Sequence, residues 1–546
     1  MYVKRHEVRR GDKVYTYYRL CRTERRNGKP YPVVIANLGA LSDQEAAKLV
    51  DSLRRAVGQP GDGLDAARSG KWVCFGGPLL VERLLATADL PRLFAGWRHP
   101  QHTQDIARTI EVLLTAQLLE PGSELSTARF QERLPGEAIP YHHFLRALDV
   151  VAAHAEELQE GLLARVRTLF DQELDLVFYD LTSSYFEGDG PAGLAKRGYS
   201  RDGRPDCVQC VLGLVVTREG FPVAWEVHEG NTVDCKTLPG LVDKLRRRFR
   251  IGRVVVVADS GLLSRENVAV LDEAGLPYVL GMRAKTSAVG RELLSATRGV
   301  EPDGEVENGV RYWQVPGADG LRHVVLWSGG RERKTRRILE RKQRAAGPKL
   351  EQLRRDVETG KVKRSGTIEA RASRIVTEAK VGKYVWWEAG EGEFRWGWDE
   401  ELLAEAEADA GKYVLQTNVA ELSAGEIVDT YHQLSTVEEA FRLLKSTLRL
   451  RPIYHRDPDR VTGHIGVCVL ALFLLNVLRQ ALRRSKVEVS VTEALRSCGE
   501  VLAAPVELGD RTVWPLPHVP DRAREVLSAL GVDDIKAVFR ARHSGD

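Results

Sequence analysis

Three acidic residues, far apart in a chain of 546, have the setting of metal-binding carboxylates. Asp180 closes the run LDLVFYD and Asp259 closes the run VVVVAD. Both runs read as apolar strands, and the active sites of open α/β sheets collect at the C-terminal ends of their strands. An Asp in that place commonly caps a turn or a helix, so neither residue is distinctive alone. Glu438 adds what they lack. Tyr431, Glu438 and Lys445 stand seven residues apart. Seven residues make two helical turns, so the three share one face with a drift of about 20° per step. Arg442, four residues beyond Glu438, projects from the same side. Leu434, Phe441 and Leu448 form an adjacent apolar stripe that would dock the helix on a sheet. The plain alternative is an intrahelical ion pair of Glu438 with Arg442, which contributes only tenths of a kcal/mol. Three carboxylates with no His/Cys cluster suit hard cations such as Mg²⁺ or Mn²⁺.

The elements that must position these residues change in texture along the chain. Residues 1–45 read as β: Val14 to Leu20, a turn at Asn27-Gly28, then Tyr31 to Leu38, a basic hairpin. Residues 58–70 are rich in Gly, Asp and Ala and read as a linker. Residues 75–172 read as a bundle of four or five helices, with apolar periodicity in Leu79 to Leu85, Ile106 to Leu119, Phe144 to Ala153 and Leu158 to Leu169, broken at Pro121-Gly122 and Pro135-Gly136. An α/β region follows. Its strands are Leu174 to Asp180, Val208 to Thr217, Pro222 to His228, Arg253 to Asp259 and Tyr278 to Met282, with helices at Leu238 to Phe249 and Ser264 to Ala274. The order implies an open mixed sheet flanked by helices. Residues 286–422 interrupt it with short strands, a long basic helical stretch and four Trp: Trp386, Trp387, Trp396 and Trp398. Ser423 and Glu426 then make a capping box for one helix running to about Leu450, before Pro452. The apolar run Ile465 to Leu478 is short for a membrane span of about 20 residues and reads as a buried helix.

Length points to three or four domains, the element order to an α/β multidomain protein, and composition, with 43% apolar and 29% charged residues, to a soluble globular one. Net charge is only +4, yet positive charge is concentrated. Residues 1–30 carry ten Lys/Arg against three Asp/Glu, and residues 331–364 carry fourteen against five. Such tracts are usually solvated faces; two of them raise nucleic acid above that reading. Seven scattered cysteines suit a reducing compartment. Cys207 and Cys210 form one C-x-x-C with no second pair at zinc spacing, which disfavours zinc or redox use. The N-terminus shows no charged-then-apolar signal pattern, so a cytoplasmic protein is expected.

Five blocks carry a family resemblance: DLTSSYFEG at 180–188, GYSRDGRPD at 198–206, GNTVD at 230–234, VADSGLLSREN at 257–267 and YHQLSTVEEAFRLLKSTLRLRPIYH at 431–455. They resemble DDE transposases of bacterial insertion sequences, in the IS-4-like superfamily and most closely its IS-1634 group. The resemblance covers most of residues 170–485 and, more weakly, the N-terminal regions. The family's signature helix carries Tyr, Arg, Glu and Lys with two, three and six residues between them. Here these are Tyr431, Leu434, Glu438 and Lys445. Leu434 replaces the Arg, and Arg442 is the substitute we consider for its phosphate role.

The resemblance implies an RNase H-like catalytic core in which Asp180, Asp259 and Glu438 are the three acids. A β-rich insertion domain would lie among the 178 residues between the last two. The implied domains are a basic hairpin module (1–57), a helical DNA-end-binding region (71–172), the first part of the core (173–285), the insertion domain (286–422), the second part of the core with the Glu helix (423–484), and a tail (485–546) that could dimerise. Two Mg²⁺ or Mn²⁺ ions would clamp the attacking and leaving oxygens of an in-line displacement. A water would nick double-stranded DNA at the element's terminal inverted repeats, and the freed 3′-hydroxyl would attack target DNA. Arg442 and Lys445 would neutralise phosphates and Tyr431 would donate to one. Lys196, Arg197, Arg201 and Arg204 would contact the DNA backbone. Trp396 or Trp398 would stack on a flipped base, although clustered Trp more often pack in cores. A homodimer would pair the two ends. A metal-dependent nuclease without strand transfer and a catalytically silent DNA-binding derivative are the competing expectations.

Overall fold

The structure is a computed structural model that describes residues 2–10, 13–26, 29–39, 49, 68–98, 101, 104–169, 176–232, 237, 255–258, 265–306, 309–316, 321–508 and 511–543. The chain divides into two compact units. The first comprises residues 1–173, 181–232 and 436–546, and the second residues 174–180 and 233–435.

The first unit opens with a three-stranded antiparallel sheet, β1 (Tyr2–Arg10), β2 (Lys13–Arg26) and β3 (Lys29–Gly39), not the expected hairpin. The additional strand, YVKRHEVRR, has no clean apolar face, so alternation could not reveal it. It is held by its pairing with β2, in register Glu7↔Thr16 and Arg5↔Tyr18. Among the described side chains of the sheet, the buried ones are Tyr18, Leu20 and Cys21 of β2. The expected turn residues Asn27 and Gly28, and most of the expected linker, lie outside the described residues. The linker's end, β4 (Arg68–Ser69), pairs with Val506–Leu508, and β5 (Val73–Cys74) pairs with Leu502–Ala503.

Six α-helices follow among the described residues: Gly76–Thr87, Leu90–Phe94, Ile106–Leu119, Glu124–Phe130, Tyr141–Ala153 and Ala155–Leu169. Four coincide with the expected apolar runs. The others, Leu90–Phe94 and Glu124–Phe130, are too short for periodicity to register. Their organiser is the helix Pro458–Arg484, which starts from the N-cap Asp457 with Pro458 at its first position. It is long and apolar enough to cross a membrane, yet 94% of its apolar window is buried inside the fold. It packs on Tyr141–Ala153 and Ile106–Leu119. A Cβ on Gly463 would collide with the Leu148 carbonyl, so only glycine permits that approach. β6 (Leu176–Tyr185) contributes its second half to this unit. Beside it come β7 (Gln209–Thr217) and its antiparallel partner β8 (Pro222–Glu229), turned through Gly220 at φ 89°.

In the second unit the first half of β6 lies beside β9 (Val255–Ala258), and both run parallel to β10 (Tyr278–Met282). Val256, Val257 and Ala258 are fully buried, as an all-apolar strand covered on both faces should be. The expected helix Leu238 to Phe249 lies outside the described residues; the helix Arg265–Glu273 is present.

The sheet continues through residues expected to belong to an insertion. β11 (Gly304–Val306), β12 (Val310–Pro316) and β13 (Arg322–Trp327) form an antiparallel series. β14 (Val385–Gly390) and β15 (Glu393–Trp398) form a separate hairpin. β16 (Lys412–Thr417) inserts antiparallel between β13 and β10. The segment that leaves the sheet is therefore 328–411. It is mainly helical, not β-rich: Gly329–Glu358 and Ser365–Ala379 pack on the hairpin around Leu350, Leu353, Val357, Ile368, Ala372, Val376 and Phe394. The strong helix formers of the basic tract, with Leu339, Ala346, Leu350, Leu353 and Val357 along one stripe, explain the outcome.

Candidate active site

Asp180 lies in the middle of β6, not at its end, because the strand runs on to Tyr185. Val177, Phe178 and Tyr179 before it are fully buried, Asp180 is half-buried, and Leu181, Thr182, Ser183 and Ser184 after it are buried again. Of the two serines, Ser183 uses its hydroxyl inside the fold, whereas the buried Ser184 hydroxyl has no hydrogen-bond partner among the described residues and only the Ser184 carbonyl accepts. Ser183 Oγ accepts the Arg201 N–H at 2.8 Å, and the Ser184 carbonyl accepts the Cys210 thiol at 3.7 Å. The division between the units falls immediately after Asp180. Asp259 lies outside the described residues, and β9 ends one residue before it.

The capping box is present: Ser423 Oγ accepts the Glu426 N–H, and Glu426 accepts the Ser423 N–H at 2.8 Å. The helix it starts is not continuous to Leu450. Three pieces follow one another: Ala424–His432, Ser435–Arg442, and a π-helical turn Leu443–Thr447. At the first break, the Leu434 N–H turns to the Tyr431 carbonyl and the Ser435 hydroxyl donates to the His432 carbonyl at 3.0 Å. A hydroxyl that satisfies a carbonyl in this way competes with the helical ladder. The chain passes from the second unit to the first at this break. Tyr431, Glu438 and Lys445 therefore do not share the face of one helix. Tyr431 belongs to the second unit and is buried, its ring centroid 6.2 Å from that of Tyr413. Glu438 is exposed in the first turn of its helix, which buries Val437, Ala440 and Phe441. Leu434, Phe441 and Leu448 of the expected stripe are all buried.

The cations on this segment have partners. Arg442 makes two hydrogen bonds to Glu439, at 2.6 and 2.7 Å, not an ion pair with Glu438. Those bonds draw the Glu439 carboxyl below the ordinary carboxylate range. Lys445 donates to Asp202 Oδ1 at 2.7 Å, and Arg451 Nε stands 2.8 Å from the same oxygen, too oblique for a hydrogen bond. The Asp202 side chain is only 2% exposed and the Lys445 side chain 14%. Burial lowers the Lys445 pKa; Asp202 opposes that shift, while Arg451 and Arg201 reinforce it. Neither Asp202 nor Arg451 stands out in the sequence, because the contact joins distant loops.

The loop between β6 and β7 holds the other expected phosphate contacts. It is tied by bridges Lys196↔Gln209 and Phe186↔Ile453. Lys196 is half-buried and Arg197 exposed. The Arg201 guanidinium lies 5.8 Å from the Tyr199 ring centroid. Arg204 bonds Asp206 through both Nε and Nη2 and sits 5.0 Å over the Tyr185 ring, which pulls the Asp206 carboxyl well below its usual range. In the second unit, Trp396 and Trp398 meet edge to face at 5.9 Å against the helical pair. Trp386, 50% exposed, is the open ring of that hairpin.

A His-containing cluster is present after all. Glu124, His455 and His464 are buried in the first unit, with their ligand atoms within 4.8 Å of one another. Burial alone would raise the Glu124 pKa, but hydrogen bonds with both imidazoles outweigh it and hold the carboxyl well below its ordinary range. Spacing could not reveal this site, since Glu124 and His464 are 340 residues apart.

Comparison with known proteins gives a family assignment. A model of the transposase DDE domain matches residues 172–474, and a model of the IS1634 family transposase N-terminal domain matches residues 3–63. Among solved structures, the chain is similar to the piggyBac transposase synaptic complex with hairpin DNA, at 9% identity and TM-score 0.38, over 86% of this chain and 82% of that one. It is also similar to the Mos1 transposase paired-end complex with left transposon end, at 15% identity and TM-score 0.14, over 33% and 60%. No curated protein matches.

Proposed function

This chain belongs to the DDE transposase family, in its IS1634 group, and from that premise we propose that it cuts double-stranded DNA at the ends of its own mobile element and joins the freed 3′-hydroxyls to target DNA. The observation that carries the proposal is the family match over residues 172–474, which takes in Asp180, Asp259, Glu438 and the Lys445–Asp202–Arg451 node. Strand order supports an RNase H-like core: β7 and β8 follow β6 in the first unit, and β9 and β10 run parallel to β6 in the second.

Asp180, Asp259 and Glu438 are the proposed holders of two divalent ions. An oxygen-only set of carboxylates fits Mg²⁺ or Mn²⁺, and the exposed Glu438 and half-buried Asp180 are both compatible with it. Such ions, when bound, strengthen the attacking oxygen and stabilise the leaving one. The chain's own cations would fix the DNA. Lys445 would exchange Asp202 for a phosphate beside the cut. The charge missing at Leu434 is assigned to Arg451, which shares the Asp202 oxygen with Lys445, in preference to Arg442, which Glu439 holds. Lys196, Arg197 and Arg201 would track the backbone, with Arg204 oriented by Asp206. Tyr431 would act by packing unless DNA binding uncovers it. Trp396, Trp398 or the more open Trp386 would stack on a displaced base. Residues 1–57 and 71–172 would read the element's ends, and a homodimer would pair them.

End-containing DNA incubated with the protein and Mg²⁺ should yield both nicked and joined products. Asp259→Ala should abolish both and preserve end binding. Cutting without any joining would reduce the activity to that of a nuclease, and a fully active Asp259→Ala would remove the residue from the chemistry.

A further inference from the structure

Glu124 is the first residue of the helix Glu124–Phe130, after the N-cap Ser123. His464 lies in the second turn of Pro458–Arg484, and His455 precedes that helix. The side chains of all three are less than a tenth exposed. Glu124 Oε1 stands 3.1 Å from His464 Nδ1, and Oε2 stands 3.0 Å from His455 Nε2. In a tetrahedral zinc site with bonds of about 2.0–2.1 Å, donor atoms lie roughly 3.3 Å apart. The two contacts run to different carboxylate oxygens, and the three donor atoms lie within 4.8 Å of one another, so a bound ion would draw the imidazoles together by a small side-chain movement.

The surroundings fix a ligand tautomer. His464 Nε2 is 3.2 Å from the Leu450 carbonyl, which can only accept, so Nε2 carries a hydrogen. In the neutral ring Nδ1 then has a free lone pair directed at the cluster. A metal-binding imidazole whose other N–H is anchored on a backbone carbonyl is the common supporting arrangement. Cys468 Sγ lies 3.8 Å from Nε2, the wrong nitrogen, and so does not complete the ligand set. Two imidazoles and one carboxylate leave a fourth position for water, and they suit a first-row transition ion better than Mg²⁺, which prefers oxygen.

We propose that Glu124, His455 and His464 bind one structural divalent transition-metal ion, zinc by ligand chemistry, which pins the start of the helix Pro458–Arg484 to the helix Glu124–Phe130. Binding would displace the protons that otherwise bridge carboxylate and imidazoles. The site shares no residue with the three acids assigned to DNA cleavage and does not depend on that assignment.

The full chain, loaded with Zn²⁺ and dialysed free of excess, should retain about one ion per chain by plasma mass spectrometry. The double variant Asp180→Asn/Glu438→Gln should retain it equally. Glu124→Gln and His455→Asn should each weaken retention by at least about tenfold, with circular dichroism reporting the fold. If these variants unfold, X-ray absorption at the zinc edge of the wild-type protein decides: nitrogen and oxygen ligands with imidazole outer shells are expected. A folded wild-type chain that keeps no zinc, undiminished retention in folded variants, or a shell without imidazole would each overturn the proposal.

Discussion

At the residue scale the decisive group is Asp202, which the sequence offers only as one acid in a polar loop. It is nearly inaccessible and holds Lys445 and Arg451 on one oxygen. Removing one partner of a buried charge cluster leaves the others uncompensated, at a cost of about 3–5 kcal/mol. Asp202→Asn should therefore show a loss of that order in urea unfolding. Arg442→Ala should stay within about 0.5 kcal/mol, because its pair with Glu439 is exposed. In strand transfer the order should hold: Lys445→Ala and Arg451→Ala lose activity, and Arg442→Ala largely keeps it. If Arg442→Ala is the more damaging, the phosphate role returns to it. Cys210 offers a second check. Burial pushes its thiol up to about 12, against an ordinary value of 9.0. A folded pKa above the unfolded one means the native state keeps a proton that the unfolded chain gives up. Stability from this group is complete below pH 9 and falls as pH rises from there towards 12. Unfolding midpoints from pH 8 to about 11 should fall less in Cys210→Ser than in wild type, and iodoacetamide should label Cys210 only after unfolding.

At the element scale, the legible parts were those with strong local signals. Ile106–Leu119 and Tyr278–Met282 fall on the expected residues, because an amphipathic or apolar run between clear breaks leaves few alternatives. The Ser423 capping box was equally readable. The helix break at Gln433–Leu434 was not, since neither Pro nor Gly marks it. The strand Tyr2–Arg10 was hidden by its charge; β16 was legible as a short strand at Tyr413 to Gln416, but its place beside β10 was hidden by the 129 residues between them. The Glu124–His455–His464 cluster is wholly tertiary. Packing around Pro458–Arg484 gives the element-scale prediction. Gly463→Ala places a methyl against the Leu148 backbone and should cost about 1–3 kcal/mol, read as a lower denaturation midpoint at unchanged slope. An unchanged midpoint would mean that the helix pair can separate freely.

At the scale of the whole molecule, the proposed chemistry requires that carboxylates carried by β6, by the segment after β9 and by the helix Ser435–Arg442 meet around the same ions. The sequence could name these acids by resemblance, but no local pattern can bring together three acids spread from Asp180 to Glu438. The most direct test is affinity cleavage. Fe²⁺ replaces Mg²⁺ in the protein, peroxide is added, and the polypeptide cut sites are mapped. Cuts clustered near 180, 259 and 438, suppressed together by excess Mg²⁺ and lost together in Asp180→Asn, are expected. Cuts near only one of the three positions, or cuts near 438 that persist in Asp180→Asn, would contradict a shared metal site.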